Sequence, residues 1–313
     1  MSPTGLAELP EIGPAVVTLG VFDGVHVGHR HVLAETVAAA RRLQAEPVAL
    51  IFTPHPDEVL RPNSVVPRLL PPPVTIERIA ALGVRPIEMR FDDDLRSLAP
   101  DAFLATLAPS LDLRGITMTP DSAFGRGRAG TLPRVREIGA EQGFETVAVE
   151  PAAMDGLAVS SSRIRALLAD GDVGAAARLL AAPPMLRGTV VHGDRRGRLL
   201  GYPTANLAFT TYTPALPALG IYVGRVAAPD RGVDPGHPAL VSVGVRPTFE
   251  DDGRVLVEAF LLDWDGDLYD AELELELTDR LREERRFESA DALVEQMQRD
   301  ESAARRLVAG RDT

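Results

Sequence analysis

The sequence predicts an α/β domain with a parallel sheet, followed by a small antiparallel β domain that ends in a helix. Three observations lead to this prediction. Short apolar runs alternate with helical patterns through the first half of the 313-residue chain. A break follows at Ala181-Ala182-Pro183-Pro184, and β-rich runs separated by turns fill the second half. We therefore expect two domains, over residues 14–182 and 185–308.

In the first half, each predicted strand leads into a helical pattern. The apolar run at residues 16–22 predicts a buried strand, and residues 29–43 predict the helix after it. The other predicted strands are residues 48–52, 87–91, 113–118 and 146–150, and the other predicted helices are residues 75–82, 101–107, 132–142, 161–168 and 173–180. Strands alternating with helices indicate βαβ units, whose parallel sheets bind ligands at the carboxyl ends of the strands.

In the second half, turns separate the predicted strands at residues 187–191, 219–226, 239–245 and 256–264. Residues 271–277 alternate strictly between apolar residues and glutamate, which is the period of a half-buried antiparallel strand. Asp265-Gly266, between the last two runs, predicts a hairpin turn. Residues 290–307 predict an amphipathic helix that closes the chain.

Composition is that of an ordinary globular protein and excludes several kinds of site. Hydrophobic residues make up 45% of the chain and charged residues 25%. The formal net charge of −12 argues against a nucleic-acid or anionic-membrane binder, which needs a basic surface. The absence of cysteine excludes disulfides, thiolate metal sites and cysteine nucleophiles. Because no apolar run reaches about 18 residues and no targeting pattern begins the chain, we expect a cytoplasmic protein.

The turn after the first predicted strand is the leading candidate site. It runs from Gly20 to His29, with histidines at positions 26 and 29, and it opens a helix. Free backbone N–H groups and the positive end of the helix dipole converge at such a turn and make an anion site. Two imidazoles add donors for charge that develops on a phosphate. We interpret the turn as a nucleotide-phosphate site, and the alternative is an ordinary turn with surface histidines.

Three further segments of the first half have both a functional and a structural interpretation, and the sequence leaves both open. Phe52-Thr53-Pro54-His55-Pro56 either brings His55 to the same crevice or forms a plain exit loop. Gly125-Arg126-Gly127-Arg128-Ala129-Gly130 is either a basic loop that closes on phosphates or a flexible surface loop. Ser160-Ser161-Ser162-Arg163-Ile164-Arg165 either grips an anion or caps a helix whose arginines are solvated.

In the second half, the densest motif runs from Gly188 to Asn206. Its glycines let the backbone approach a ligand closely, and Thr204 and Asn206 offer neutral oxygens suited to Mg²⁺ that bridges phosphates. The alternative is a glycine-rich hairpin loop. Glu258 interrupts the apolar run of residues 256–262, so it is either exposed at an edge or orients and deprotonates a hydroxyl that attacks a γ-phosphate.

These motifs, in this order, resemble the bacterial bifunctional riboflavin kinase/FAD synthetase family from about Pro14 to Leu307. Residues 22–29, 52–56 and 160–165 resemble its adenylyltransferase motifs, and residues 201–206, 244–249 and 258–269 resemble its kinase motifs. The resemblance implies a Rossmann-like nucleotidyltransferase α/β domain followed by a six-stranded antiparallel β-barrel with a C-terminal helix.

The resemblance also implies two ATP-dependent steps on small-molecule substrates, with Mg²⁺. The second domain would phosphorylate riboflavin to FMN, with Glu258 as the base and Thr204 and Asn206 as metal ligands. The first would join AMP to FMN, giving FAD and pyrophosphate, with His26 and His29 at the α-phosphate. The other implied ligand-binding residues are Gly20, Phe22, Asp23, Gly28, His55, Asp121, Ser161, Ser162, Arg163 and Arg165 in the first domain, and Gly188, Gly193, Gly197, Gly201 and Pro203 in the second.

One stretch, Thr119-Pro120-Asp121-Ser122, departs from the family pattern, which has a glycine and an aromatic residue in place of Thr119 and Ser122. A positive φ at position 119 would be costly for a β-branched residue. The alternative hypothesis is therefore a riboflavin kinase whose first domain is impaired in FAD synthesis, and a less favoured one is a flavin-binding regulator without catalysis. In the kinase half, Asp270 replaces a turn glycine that is usual in the family.

Overall fold

The computed structural model describes residues 3, 5, 8–61, 63–193, 201–245 and 255–310. The chain divides into two compact units: residues 1–66 with 72–160, and residues 67–71 with 161–313. The domain bounds expected from the sequence, 14–182 and 185–308, remain predictions. Each helix in the described part of the chain is too short or too polar to cross a membrane.

The first unit is built on a five-stranded parallel sheet, as predicted. Its elements in chain order are β1 (Gly13–Gly20), α1 (Val27–Arg42), β2 (Glu46–Thr53), α2 (Pro56–Leu60), α3 (Pro72–Ala81), β3 (Arg85–Arg90), α4 (Asp93–Ser97), α5 (Pro100–Leu107), β4 (Leu111–Met118), β5 (Ala123–Phe124), β6 (Gly130–Thr131), α6 (Leu132–Gln142), β7 (Glu145–Ala148), β8 (Ala153–Met154) and β9 (Leu157–Ala158). The sheet order is β3-β2-β1-β4-β7, and every neighbouring pair is parallel. The short helices α2 and α4 were not predicted.

Burial on both faces explains why β1 reads as a continuous apolar run. Ala15 and Val17 pack into the large core on one face of the sheet, whereas Val16 packs against Ala39 and Ala40 of α1 on the other. Strands of a parallel sheet covered by helices on both sides have this pattern. The central position of β1 brings the loop at its carboxyl end, and the start of α1, to the middle of the sheet edge where ligands bind in such folds.

The second unit is a closed six-stranded antiparallel barrel, which confirms the fold implied by the resemblance. Its elements are α7 (Ser161–Ala169), α8 (Val173–Leu180), β10 (Met185–Val191), β11 (Ala205–Ala208), β12 (Gly220–Ala228), β13 (Val233–Val245), β14 (Val255–Leu261), β15 (Glu272–Arg282) and α9 (Ala290–Ala309). The strand order is β10-β11-β14-β13-β12-β15, and β15 pairs with β10 to close the barrel. The strict alternation is confirmed, because Leu273, Leu275 and Leu277 of β15 are buried and the glutamates between them are not.

The hairpin predicted at Asp265-Gly266 is wrong. Strand β14 pairs with β11 and β13, and β15 pairs with β10 and β12, so the two runs that flank the dipeptide are not neighbours. Barrel closure requires β15 to pair with β10, and residues 262–271 therefore form a long connection past β11 and β10. The strand β11 was not predicted, because it has only four residues and follows a glycine-rich motif.

Candidate active sites

The loop after β1 is wound tightly before α1 begins. Phe22 and Val25 have positive φ angles of 54° and 42°, and both side chains are buried. A positive φ is rare for bulky or β-branched residues and persists where the surroundings over-determine the backbone. Here the Val25 N–H donates to the Phe22 carbonyl (3.0 Å) and the Arg30 Nε donates to the Val25 carbonyl (3.1 Å). The strained turn delivers His26 to the amino end of α1.

His26 caps α1, and its ring stacks on that of His29. The His26 Nδ1 accepts a hydrogen bond from the His29 backbone N–H (3.3 Å), so the neutral ring carries its hydrogen on Nε2. The ring centroids of His26 and His29 are 3.6 Å apart, with an angle of 15° between the planes. Gly28 permits this close packing, because a Cβ there would lie 3.2 Å from the His26 ring. Two predicted site residues therefore form one compact imidazole pair at a helix amino terminus.

Burial and the neighbouring imidazole keep His29 neutral. The pKa of His29 is lowered well below its ordinary value of 6.5, first by desolvation and second by repulsion from His26. Its Nδ1 is buried without a hydrogen-bond partner in the described structure, and Phe22 contacts the ring edge-on at a centroid distance of 5.3 Å. Near neutral pH His29 is thus an uncharged imidazole. The carboxylate of the predicted site residue Asp23 is also buried, at 5% exposure.

A cavity of about 780 Å³ lies in the first unit, at the carboxyl ends of its strands. It combines an apolar wall with basic and polar groups: Gly20, Val21, Phe52, His55, Phe91, Met118, Ser122, Phe124, Arg126 and Arg128 are among its lining residues. His55 also caps α2, because its Nδ1 accepts from the Asp57 N–H (3.1 Å) while Glu58 accepts from the His55 N–H (3.2 Å). His55 therefore lines the cavity and caps a helix, and its predicted place near a phosphate stays a prediction. His26 and His29 are not among the described residues that line this cavity.

The glycine-rich basic loop has a defined conformation. Gly125 and Gly127 adopt positive φ angles of 71° and 63°, which glycine tolerates best. The Arg126 N–H donates to the Leu98 carbonyl (2.7 Å), and residues Arg126–Arg128 form a short 3₁₀ turn. Arg126 and Arg128 line the cavity wall, and the closure of this loop on phosphates stays a prediction.

The atypical stretch at Thr119 forms a turn without backbone strain. Thr119 is not among the residues with positive φ, so the expected cost of a β-branched residue does not arise. The Thr119 hydroxyl donates to Asp121 Oδ1 (2.6 Å) and lies 2.6 Å from the Ser122 hydroxyl. The turn is therefore held by side-chain hydrogen bonds and needs no glycine at position 119. Ser122 also lines the cavity.

The Ser161–Arg165 motif begins α7, as predicted, and belongs to the second compact unit. The Arg165 side chain binds the main chain, because its Nε donates to the Pro67 carbonyl (2.7 Å). Ser162 is exposed, and Ser161 and Arg163 are half-buried. The predicted role of these side chains in gripping a triphosphate stays a prediction.

The second unit has its own cavity, of about 370 Å³. Gly193, Pro203, Thr204 and Asn206 line it, so four of the predicted kinase-site residues come together there. The connection after β14 also lines it, through Trp264, Asp265, Gly266, Asp267, Leu268 and Tyr269. The aromatic residues Trp264 and Tyr269 were not predicted as site residues, although the sequence places both in a kinase-like motif.

Asn206 and Glu258 lie directly opposite each other on neighbouring strands. The register of β11 and β14 pairs these two residues, and that of β13 and β14 pairs Ser242 with Glu258. Side chains of such pairs project from the same face with Cβ atoms about 4.5–5.5 Å apart. Both alternate along their strands with buried barrel residues, so they face away from the barrel interior. Glu258 itself is half-buried and is not among the described residues that line the cavity.

The predicted glycines have different roles. A Cβ on Gly193 would lie 2.5 Å from Asn206 Nδ2, so the Asn206 amide rests against the Gly193 backbone. A Cβ on Gly188 would lie 2.8 Å from the Ala208 carbonyl, which assigns Gly188 to close packing between β10 and β11. Gly201 adopts a φ of 85°. Gly197 and positions 246–249 of the second kinase motif lie outside the described residues.

The donors at this cavity fit a hard cation. Thr204 and Asn206 offer a hydroxyl and an amide oxygen two residues apart, and Mg²⁺ prefers oxygen ligands. In the described structure no group of three His, Asp or Glu side chains is arranged to hold a metal ion by itself.

Comparison with known proteins gives matches over both units. A family model described as FAD synthetase matches residues 9–163, and one described as riboflavin kinase matches residues 180–308. A bifunctional riboflavin kinase/FMN adenylyltransferase from Pseudomonas fluorescens is 36% identical over 97% of both chains, and one from Escherichia coli K12 is 33% identical over 96% of this chain and 94% of its own. A crystal structure from Streptococcus pneumoniae, described as a macrolide-efflux protein, is 31% identical over 96% of both chains, with a TM-score of 0.86.

Proposed function

The chain belongs to the bifunctional riboflavin kinase/FMN adenylyltransferase family, and we propose that it makes FMN at the barrel cavity and FAD at the α/β unit with the residues described above. The observation that carries the proposal is the pairing of Asn206 with Glu258 beside a cavity lined by Thr204. This arrangement brings a carboxylate next to the neutral oxygens that a metal-bound triphosphate requires.

In the first reaction, the ribityl 5′-hydroxyl of riboflavin attacks the γ-phosphorus of ATP. A bond forms between the hydroxyl oxygen and phosphorus, and the bond to the β,γ-bridging oxygen breaks, so ADP leaves. Glu258 orients the hydroxyl and accepts its proton. The half-buried position of Glu258 on a barrel strand supports this role.

Thr204 and Asn206 would hold Mg²⁺ together with phosphate oxygens. Bound there, the ion supplies positive charge that neutralises the triphosphate. The Asn206 amide is fixed for this task by its contact with the Gly193 backbone. Gly193 and Pro203 line the same cavity and leave room for the nucleotide to approach the main chain.

In the second reaction, a phosphate oxygen of FMN attacks the α-phosphorus of ATP, and pyrophosphate leaves. No covalent enzyme intermediate is needed. His26 and the neutral His29 donate hydrogen bonds to oxygens of the α-phosphate, where negative charge develops. The amino terminus of α1 adds its positive dipole at the same point. The apolar wall of the large cavity suits a flavin ring, and Arg126 and Arg128 suit phosphates.

The test is an assay of both products. Purified protein receives riboflavin, ATP and Mg²⁺, and chromatography separates riboflavin, FMN and FAD over time. We expect FMN to appear first and FAD to follow. Formation of FMN with no FAD would contradict the bifunctional assignment and favour the kinase-only hypothesis. Absence of FMN would contradict the proposed role of the barrel.

A further inference from the structure

The C-terminal helix α9 carries two side chains, Glu301 and Arg305, that connect two segments next to the barrel cavity. Arg305 forms a bidentate ion pair with Asp263, in which Nη1 donates to Oδ2 (2.5 Å) and Nη2 donates to Oδ1 (2.8 Å). It also donates to Glu301 Oε1 from Nε (3.0 Å) and Nη2 (2.8 Å). The second oxygen of Glu301 accepts from the Tyr202 hydroxyl (3.2 Å). The four side chains thus form one continuous chain of hydrogen bonds, Tyr202–Glu301–Arg305–Asp263.

One end of this chain meets the segment that carries the proposed metal ligands. Tyr202 immediately precedes Pro203 and Thr204, which line the cavity. The Tyr202 ring is 8% exposed and packs edge-on against Phe260 of β14, with centroids 5.0 Å apart. Glu301 therefore fixes the side chain next to the proposed metal ligands.

The other end of the hydrogen-bond chain meets a second segment that lines the cavity. Asp263 follows the end of β14 and precedes Trp264–Tyr269, which line the cavity. Its φ of 55° lies in the left-handed region, which residues other than glycine populate sparsely, although aspartate adopts it more readily than most. Such a conformation persists when neighbouring contacts over-determine it, and the two-ended grip of Arg305 is a contact of that kind. The pKa of Asp263 is lowered, chiefly by this hydrogen bond, so the carboxylate stays ionised.

The exposure of these groups argues against a role in overall stability. The side chains of Arg305 and Asp263 are 44% and 72% exposed, and an exposed ion pair contributes little to the free energy of unfolding. Arg305 nevertheless connects two segments that must keep a fixed separation for catalysis. We propose that Arg305 and Glu301 are positioning residues for the kinase reaction, which set the distance between two segments that line the barrel cavity, the Thr204 segment and the Trp264–Tyr269 segment. This inference rests on the proposed function of that cavity.

The chain has a single tryptophan, Trp264, and it lies in the segment that the network would position. Fluorescence of Trp264 therefore reports the segment without any turnover. The experiment compares the full-length protein with Arg305→Gln and with Arg299→Gln. Arg299 is a matched control, because it forms an i,i+4 pair with Glu295 on the same helix (3.3 Å). For each protein we measure the unfolding midpoint, acrylamide quenching of Trp264, and kcat and KM for FMN formation.

We expect Arg305→Gln to lower kcat/KM for FMN formation about tenfold, within the ~10²-fold that a misplacement of about 1 Å costs. Acrylamide quenching should rise, the unfolding midpoint should stay close to that of the parent, and Arg299→Gln should change none of these. Arg305→Lys, which keeps one charged donor, should recover part of the activity. Unchanged quenching, or a loss of activity that merely follows a lower unfolding midpoint, would overturn the proposal.

The quenching result separates this proposal from the proposed function. A parent protein that makes no FMN, with quenching that still rises in Arg305→Gln, would contradict the proposed function while showing that Arg305 positions the Trp264 segment. Normal FMN formation in the parent and in Arg305→Gln, with equal quenching, would leave the function intact and refute the positioning role. A double variant of Arg305→Gln with Asp263→Asn should be no worse than either single variant, because both break the same contact.

Discussion

The rings of His26 and His29 stack with centroids 3.6 Å apart at the amino end of α1. If both donate to the α-phosphate, His29→Gln should lower the rate of FAD formation from FMN and ATP by about 10²-fold, the usual cost of removing one such donor. FMN formation should be unchanged, because Glu258 and its cavity lie in the other compact unit. The rates are measured separately with FMN and with riboflavin as substrates. His31→Gln is the control on the same helix, and an inactive kinase in His29→Gln would contradict independent sites.

The lowered pKa of His29 makes stability depend on pH in a defined direction. In the unfolded chain the group titrates near 6.5, whereas in the folded protein it titrates well below that value. As the pH falls through 6.5, the unfolded state therefore binds a proton that the folded state does not, and stability decreases. Above about pH 7.5 both states are neutral and the contribution is flat. The free energy of unfolding, measured by urea denaturation, should differ less between pH 5.5 and pH 7.5 in His29→Gln than in the parent. The two differences should themselves differ by at most about 1.4 kcal/mol. An equal pH dependence in both proteins would show that His29 titrates normally.

Glu258→Gln should stop the kinase reaction while sparing the second one. The substitution keeps the shape of the side chain but removes the proton acceptor, so FMN formation should fall by at least about 10²-fold. FAD formation from supplied FMN should be retained. The control is Glu276→Gln, which neutralises another half-buried glutamate of the barrel. If Glu258→Gln impaired both reactions equally, the assignment of one reaction to each unit would be incorrect.

Gly193 tests the placement of the Asn206 amide. In Gly193→Ala the new Cβ would lie 2.5 Å from Asn206 Nδ2 and 2.7 Å from Oδ1, so the amide must move. We expect KM for ATP and Mg²⁺ to rise and kcat/KM for FMN formation to fall about tenfold, since a displacement near 1 Å can cost up to 10²-fold. Gly174→Ala is the control, because its Cβ would meet nothing closer than Asp172 Oδ1 at 3.7 Å. Full activity in Gly193→Ala would mean that Asn206 does not bind the metal.

Local patterns in the sequence were sufficient to predict most elements of the fold but not the long-range pairing. Val16 and Val17 are both buried, on opposite faces of the sheet, so the parallel strand reads as one apolar run. The buried leucines of β15 alternate with glutamates in the same readable way. Asp265-Gly266 looks like a hairpin turn locally, but closing the barrel pairs β15 with β10 instead. Such pairing depends on the whole sheet, which no dipeptide specifies.

The geometry of the candidate sites also depends on long-range contacts that local sequence patterns do not predict. The three-residue spacing of His26 and His29 places them together in any helix start, but the stacking and the lowered pKa of His29 come from burial by the surrounding loop. Asn206 and Glu258 are far apart in the sequence, and only the register of β11 and β14 makes them neighbours. At Thr119 the sequence suggested a costly positive φ. Thr119 is not among the residues with positive φ, and its hydroxyl donates to Asp121 within the turn.

The buried ion pair between Arg282 of β15 and Asp300 of α9 joins the helix to the barrel. Its loss should destabilise the second unit. Asp300 accepts hydrogen bonds from Arg282 Nε (3.0 Å) and Nη2 (2.8 Å) and from Gln296 Nε2 (2.8 Å). The two charged side chains are only 7% and 11% exposed, so Asp300→Ala leaves an uncompensated buried guanidinium, at a cost of about 3–5 kcal/mol. Glu295→Gln, which breaks an exposed pair on the same helix, should cost under about 1 kcal/mol. Urea denaturation followed by Trp264 fluorescence measures both, and equal midpoints would show that the Arg282–Asp300 pair does not secure the helix.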